Sequence, residues 1–437
     1  MRAKLTLLLL LGALQGCVFQ DVKEQQARVA ANCPVEGEVV AERQEAVPLV
    51  VLLLRQVGTD TAQRDSWVLA DHFVLEGAGR WQFRASAGTY ALAAFQDLNH
   101  DLMYQPGEPF LRMDAGGRIA CATGEAHRNI TLRIPSAGTS AVAGTFDIAK
   151  LQVRSLHDQL RISLGEVTAV GELAALSDAR FAEAVAEDGL WRPFDFLFKG
   201  RPGVYFLEPY DARKMPVLFV HGINGTPANF RTLIERLDRQ RFQPWVYYYP
   251  SGAALDMVAD HLAQTMRKLQ QQHGFGRFAV VAHSMGGLVS RGFLLRYQDS
   301  GGGAATPLFV TLATPWGGHK GAELGVRTAP VVVKVWIDMA PGSAYQRALF
   351  YKDSATQRRL PQNTPHHLLF TFKQGSATFG EANDGTVAVS SQLSREAQRD
   401  AARLYGFNET HMGVLQSEEV SALLNELLRA IPAPPPS

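Results

Sequence analysis

The sequence predicts an α/β protein, a mainly parallel sheet flanked by helices, with a small β-sandwich in front of it. Three observations carry this reading. From Met215 onward, short β-branched runs alternate with segments whose apolar residues fall at helical spacing, as in a sheet whose crossovers are helices. Residues 46–140 read as strands alone, separated by Gly, Asp and Ser clusters. One stretch, Arg277 to Val289, passes from apolar strand to apolar-periodic helix across a serine hemmed in by small residues. At 437 residues the chain is long for one domain, since a soft prior is ~150 residues each. Hydrophobic residues at 46% and charged residues at 19% supply an ordinary globular core. A net charge of +1 with no long basic run argues against nucleic acid as a partner.

The first residues read as a targeting signal. Arg2 and Lys4 give a positive start, Leu5 to Leu14 an apolar run too short to span a bilayer, and Leu14-Gln15-Gly16-Cys17 follows. That tetrapeptide resembles a bacterial lipobox. The resemblance implies cleavage after residue 16, lipidation of Cys17 and a membrane anchor. An ordinary cleaved signal with a free Cys17 is the alternative. Val18 and Phe19 carry no acidic retention signal, which under the same resemblance implies an outer-membrane lipoprotein of the bacterial envelope. Residues 17–45 then form a tether. The remaining cysteines, Cys33 and Cys121, either close one disulfide in an oxidising compartment or stand as separate buried thiols.

In the β domain, strands are expected at Val47 to Val57, Trp67 to Leu75, Trp81 to Ala85, Thr89 to Phe95 and Asn129 to Ile134. Gly88-Thr89-Tyr90 leading to Phe95 resembles the strand signature of transthyretin-like, carboxypeptidase-regulatory-type sandwiches. Next comes Asp97-Leu98-Asn99-His100-Asp101-Leu102, running on to Glu108. Asp97, Asn99, Asp101 and Glu108 fall at positions 1, 3, 5 and 12 of a calcium-type loop. Leu102 stands where an EF-hand needs glycine, so a structural calcium site between strands competes with an Asx-rich turn bonding its own backbone. Residues 141–212 read as a connector, with Val170 to Ala186 at helical spacing.

The catalytic domain is expected over 213–431. Val217 to Val220 is a buried strand ending in His221-Gly222-Ile223-Asn224-Gly225, and Thr226 with Pro227 opens a helix. Trp245 to Tyr249 is the next strand, and Leu255 to Leu269 a helix with one apolar face. After the serine turn come the strand Leu308 to Leu312, then Ala313-Thr314-Pro315-Trp316-Gly317-Gly318, and a last strand His367 to Phe372. Leu423 to Leu428 mark a closing helix, and 432–437 a disordered tail.

A serine hydroxyl attacks only when a base removes its proton, so it must project where a histidine reaches it. A strained strand-to-helix elbow does this, and demands small residues two places before and after. Ala282 and Gly286 occupy them, giving A-x-S-x-G around Ser284 rather than the commoner G-x-S-x-G. Backbone N–H groups stabilise the oxyanion without reorganising. Met285, just past the nucleophile, and Ile223, in the His-Gly loop, are the candidate donors. The chain order Ser…Asp…His leaves His319, His366, His367 and His411 as bases. His411 lies in a loop before the final helix, His319 in a strand-end loop, and the other two open a strand as packing residues. Asp384, in Asn383-Asp384-Gly385-Thr386-Val387, is the candidate acid, and Asp338 its rival.

His-Gly-Ile-Asn-Gly, Ala-His-Ser-Met-Gly-Gly, Thr-Pro-Trp-Gly-Gly, Asn-Asp-Gly-Thr-Val and the late Thr-His-Met together resemble an α/β-hydrolase of the bacterial lipase type, close to the GPI inositol-deacylase-like lipases. The resemblance covers about half the chain, residues 215 to 430. It implies a serine carboxylic-ester hydrolase needing no cofactor for catalysis. Ser284 would be the nucleophile, His411 the base, Asp384 its orienting acid, and a lipid or long acyl ester the substrate. Two alternatives remain: a non-catalytic lipoprotein whose sandwich binds ligands, and acyl transfer or peptide hydrolysis by the same triad. The apolar insertion 317–360 reads either as a lid or as plain core.

Overall fold

The computed structural model describes residues 20, 22–24, 27, 32–43, 47–57, 66–75, 77–99, 103–113, 118–122, 124–136, 146–147, 168–299, 302–353, 356–375, 377–378 and 381–432. The signal, Cys17 and residues 433–437 lie outside them.

Alternating apolar residues build the N-terminal region. Strand β1 (Cys33–Ala41) pairs antiparallel with β4 (Gly79–Ala85) and parallel with β8 (His127–Ile134). The facing sheet runs β3 (Ser66–Leu75), β2 (Leu49–Val57), β5 (Gly88–Gln96), β6 (Phe110–Arg112), with β7 (Ile119–Cys121) also on β5. Leu49 to Leu54 are all buried, because β2 is covered on both faces. Leu49, Val51 and Leu53 join Val35, Phe83 and Leu132 between the two sheets, while Val50, Leu52 and Leu54 pack with Phe95, Tyr104 and Phe110 on the other side. That is the period-two geometry of a strand acting on two cores. The region docks on the long helix Leu255–His273, where Gln82 Nε2 donates to Asp260 Oδ2 (2.6 Å) and buried Lys268 pairs with Asp71 (3.6 Å).

Behind it lies one eight-stranded sheet. Its members are β9 (Ala169–Leu173), β10 (Gly203–Phe206), β11 (Met215–Val220), β12 (Phe242–Tyr248), β13 (Arg277–His283), β14 (Ala305–Leu312), β15 (His366–Thr371) and β16 (Ala401–Phe407). The order is β9-β10-β12-β11-β13-β14-β15-β16, parallel throughout except for β10 against β12. Separate apolar clusters cover its two faces. The nearly continuous burial of β11 and β13 is that of a parallel sheet sandwiched between helices.

The boundaries differ from the sequence reading in five places. The tether contributes β1. The connector supplies β9 and β10, so the large sheet starts at 169 rather than 213. Val170 to Ala186 is not one helix: β9 occupies its start, and α1 (Glu183–Trp191) begins only near its end, followed by α2 (Pro193–Lys199). β16 is a strand that hydrophobic patterning did not reveal, an edge strand with largely solvent-facing side chains. The helix at 226 shrinks to a 3₁₀ turn and the single-turn segment Arg231–Glu235. Helices α3 (Leu255–His273), α4 (Met285–Asp299) and the closing α8 (Glu418–Arg429) stand where apolar stripes placed them. Between them, the insertion forms α5 (Lys320–Thr328), α6 (Lys334–Met339) and α7 (Ala344–Phe350). Val335, Met339, Leu349 and Phe350 bury into the core, whereas Leu324 and Ile337 stay 43% and 45% exposed, so the segment is core on one side and apolar surface on the other.

Cys33 and Cys121 are joined, tying β1 to β7 across 88 residues of sequence. Closing a loop of that length restricts the unfolded chain by about 4–5 kcal/mol. Replacing both cysteines by alanine is therefore expected to lower the thermal midpoint of the N-terminal region by several degrees while leaving the distant serine site intact. An unchanged midpoint, followed calorimetrically with and without reductant, would show that the bond adds nothing.

Candidate active site

The elbow is built by exclusion of side chains. Ser284 has φ +55°, a left-handed conformation costly for any residue but glycine, and is 3% exposed. Its amide donates to Leu312 O (2.8 Å) and its carbonyl accepts from Gly287 N (3.0 Å), so β14 and the first turn of α4 hold the turn from both sides. A Cβ at Gly286 would lie 2.3 Å from Val220 O and 2.5 Å from His221 O. One at Gly222 would lie 2.8 Å from Ser284 Cβ, which shows how closely the His-Gly loop approaches that serine.

The structure brings together three of the residues singled out in the sequence. His411 Nε2 is 2.9 Å from Ser284 Oγ, and His411 Nδ1 is 2.8 Å from Asp384 Oδ2. A carboxylate only accepts, so Nδ1 carries the proton and Nε2 is left to accept from the serine hydroxyl. The backbone closes the same pair, with His411 N donating to Asp384 O (2.9 Å). Asp384 is fully buried. Burial alone would raise its pKa, but the hydrogen bonds from His411, Thr371 Oγ1 (2.7 Å) and Val387 N (2.7 Å) outweigh it and hold the carboxyl below the usual value. Thr386 N (2.9 Å) and Gln392 Nε2 (3.2 Å) complete the cage. Gly385, at φ +95°, lets the loop turn back so that these amides converge on the side chain before it.

Thr371 and Gln392 were not found from the sequence. Thr371 ends β15, a position that suggests a role only once the sheet is known, and nothing local marks Gln392. Nor does anything local mark the contact of His283, just before Ser284, whose Nε2 lies 2.8 Å from His411 O.

The rivals lie elsewhere. Asp338 Oδ2 accepts from Leu255 N (2.8 Å) at the start of α3. His319 accepts from Ala322 N (3.3 Å) as the cap of α5 and donates through Nε2 to Thr386 O (3.0 Å). His366 is buried against Phe309 and bonded to Thr311 Oγ1 (2.8 Å), and His367 stacks on Tyr405, both packing residues as expected.

For the oxyanion, Met285 opens α4, where a first-turn amide has no partner inside the helix. Ile223 lies in the loop after β11, and its amide takes no backbone partner among the described residues. His221 braces that loop: it stacks on Tyr249 (4.2 Å), whose hydroxyl donates to His221 O (2.6 Å). Burial pushes His221 down to about 4, so it stays neutral.

No carboxylate group assembles into a metal site among the described residues. The one cluster of three potential ligands is Cys33, Cys121 and His127, whose cysteines are spent in the disulfide. In the loop after β5, Asp97 is buried, Glu108 accepts from the amides of Leu98 and Gln105 (2.9 Å each), and Asn99 Nδ2 donates to Gln105. Asp101 lies outside the described residues.

A family model described as alpha/beta hydrolase fold matches residues 215–301, from β11 through the elbow to the end of α4. No curated protein gives a match. Among solved structures, the mature Bacillus licheniformis lipase BlEst2 is 18% identical, with 51% of this chain and 97% of that one covered and a TM-score of 0.40. The lin2722 gene product of Listeria innocua is 12% identical (50% and 95% covered, TM-score 0.39), and Aspergillus fumigatus lipase B 14% identical (53% and 56%, TM-score 0.38). Likeness at that level says nothing about what this chain acts on. The chain carries the α/β-hydrolase fold, a mixed, mainly parallel sheet flanked by helices, behind an N-terminal β region.

The elbow sterics give a direct test. Gly286→Ala must displace the Val220 and His221 carbonyls, and overpacking of this kind costs roughly 1–3 kcal/mol or more. The variant is expected to melt several degrees lower and to lose reaction at Ser284 with serine-directed probes. Wild-type melting and reactivity would mean that strand and helix are not in contact there.

Proposed function

We propose that the protein is a serine hydrolase that cleaves carboxylic esters of lipids or long acyl chains through an acyl-enzyme. The chain of hydrogen bonds Ser284 Oγ–His411–Asp384, at 2.9 and 2.8 Å, carries this reading. In it, His411 Nε2 takes the hydroxyl proton as Ser284 Oγ attacks the ester carbonyl, and the Ile223 and Met285 amides hold the oxyanion. The tetrahedral intermediate collapses with protonation of the leaving alkoxide by His411, releasing the alcohol. Water, deprotonated by the same imidazole, then attacks the acyl-enzyme, and Ser284 regains its proton as the carboxylic acid departs. Asp384 stays ionised throughout, fixing the tautomer and offsetting the imidazolium charge.

Several features favour a lipidic ester over a small soluble one. The sequence resembles lipases in five separate motifs. Leu324 and Ile337 leave apolar surface on the insertion, and Met412, next to the base, is 47% exposed. The lipobox-like Leu14-Gln15-Gly16-Cys17 would hold the enzyme at a membrane, the outer membrane of a bacterial envelope by the residues that follow.

Ser284→Ala should fold normally and lose labelling by a fluorophosphonate, and labelling that survives would refute the nucleophile. Asp384→Asn should lower kcat on p-nitrophenyl esters by about 10³–10⁴-fold. Asp338→Asn should change it by less than about ten-fold, because its contact is with α3, and the reverse ranking would assign the acid to the other loop. Across esters of graded chain length and phospholipids, kcat/KM should rise with acyl length.

The anchor is tested separately. Full-length protein expressed in a bacterium should partition into detergent and incorporate labelled palmitate, and Cys17→Ser should abolish both. A wild-type protein that remains in the aqueous phase would exclude lipidation.

A further inference from the structure

His411 follows β16 in a stretch without regular secondary structure, yet its imidazole must stay within hydrogen-bond reach of an oxygen on another segment. Its main chain is held at two points. The amide donates to Asp384 O (2.9 Å), and the carbonyl is met by His283 Nε2 (2.8 Å), its one hydrogen bond among the described residues. A carbonyl only accepts, so His283 carries its proton on Nε2 and leaves Nδ1 bare. The two rings lie 4.7 Å apart, tilted by 48°, and His283 is 4% exposed. Burial, with the nearby His411, pushes His283 down to about 3, so it is neutral at any pH at which an ester hydrolase of this kind works and cannot itself act as a base for Ser284.

We propose that His283 is a positioning residue, whose Nε2–H holds the His411 carbonyl and so keeps the base's ring in register with the serine. The inference rests on the reading of Ser284 as nucleophile. Its physical content is that nucleophile and base share one support. His283 is the last residue of β13 and Ser284 the next in sequence, so any shift of the elbow carries the base with it. The acid loop fixes which way the imidazole faces, and the elbow strand fixes how far away it stands. A residue of the same bulk without a donor would fill the space but leave the His411 carbonyl buried and unpaired, and the loop would move to find a partner.

Two pairs of variants separate this from a packing role. His283→Phe keeps a ring and removes the donor, while His283→Gln keeps an N–H at a similar reach. His283→Asn keeps the amide but shortens it. The readouts are thermal midpoint, kcat and KM on a short p-nitrophenyl ester, and the second-order rate of fluorophosphonate labelling. His283→Phe should lower kcat and the labelling rate together by about 10–100-fold, the cost of a base displaced by a fraction of an ångström. KM should stay within about two-fold, and His283→Gln should restore most of the rate. A folded His283→Phe that labels at the wild-type rate overturns the proposal, as does His283→Gln being as slow as His283→Phe. Should His283→Phe fail to fold, the Gln–Asn pair decides: Gln fast and Asn slow supports the role, and equal rates refute it. If the wild-type protein does not label at Ser284, the nucleophile reading fails first, an outcome distinct from these.

Discussion

The constraint on which the site depends is a buried carboxylate. Asp384 has no exposure to solvent, and an ionised group in that position survives only if protein donors replace its water. Five do so, from four places in the chain: Thr371 at the end of β15, the Thr386 and Val387 amides of its own loop, Gln392 in the turn that follows, and His411 after β16. Satisfying one charge therefore draws the ends of two neighbouring strands and the loop between them into a single arrangement. Removing any donor strands part of that charge. Keeping it whole fixes the His411 tautomer, and the tautomer determines that Nε2 faces Ser284 as an acceptor.

A second constraint, steric rather than electrostatic, brings the serine to meet it. Ser284, Asn224 and Ala313 all adopt positive φ, at the ends of β13, β11 and β14. Each such residue costs of order 1–3 kcal/mol, and the cost is offset by hydrogen bonds from adjacent strand ends, such as Ser284 N to Leu312 O and Ala313 N to Leu369 O. The three turns open at one edge of the parallel sheet, the crevice outside the carboxyl ends of the strands where such sheets place their ligands. Gly222, with no room for a Cβ beside Ser284, is what allows the His-Gly loop to close on it.

What the sequence made legible follows from how locally each feature is determined. The elbow, the His-Gly loop, the Asp384 turn and His411 were visible because each needs particular residues within a few positions: small neighbours, glycine at a turn, a histidine in a loop. Burial patterning placed β11, β13 and β14 for the same reason. β9 was hidden by Gly171, whose positive φ interrupts the strand signal, and β10 by its length of four residues. β16 lies at the sheet edge with most side chains exposed, so no apolar alternation announces it, and β1 sits in a stretch read as a tether. Thr371, Gln392 and the His283–His411 bond were illegible because they are contacts across 13, 8 and 128 residues.

The central claim is that Ser284 carries the acyl group during turnover, and trapping that intermediate tests it most directly. Wild-type protein mixed with excess long-chain p-nitrophenyl ester and quenched in acid within the burst should gain the mass of one acyl group. Peptide mapping should place it on the segment holding His283-Ser284-Met285, and hydroxylamine should remove it. A protein that turns over the ester with no adduct, or with the acyl group on another residue, would contradict the account.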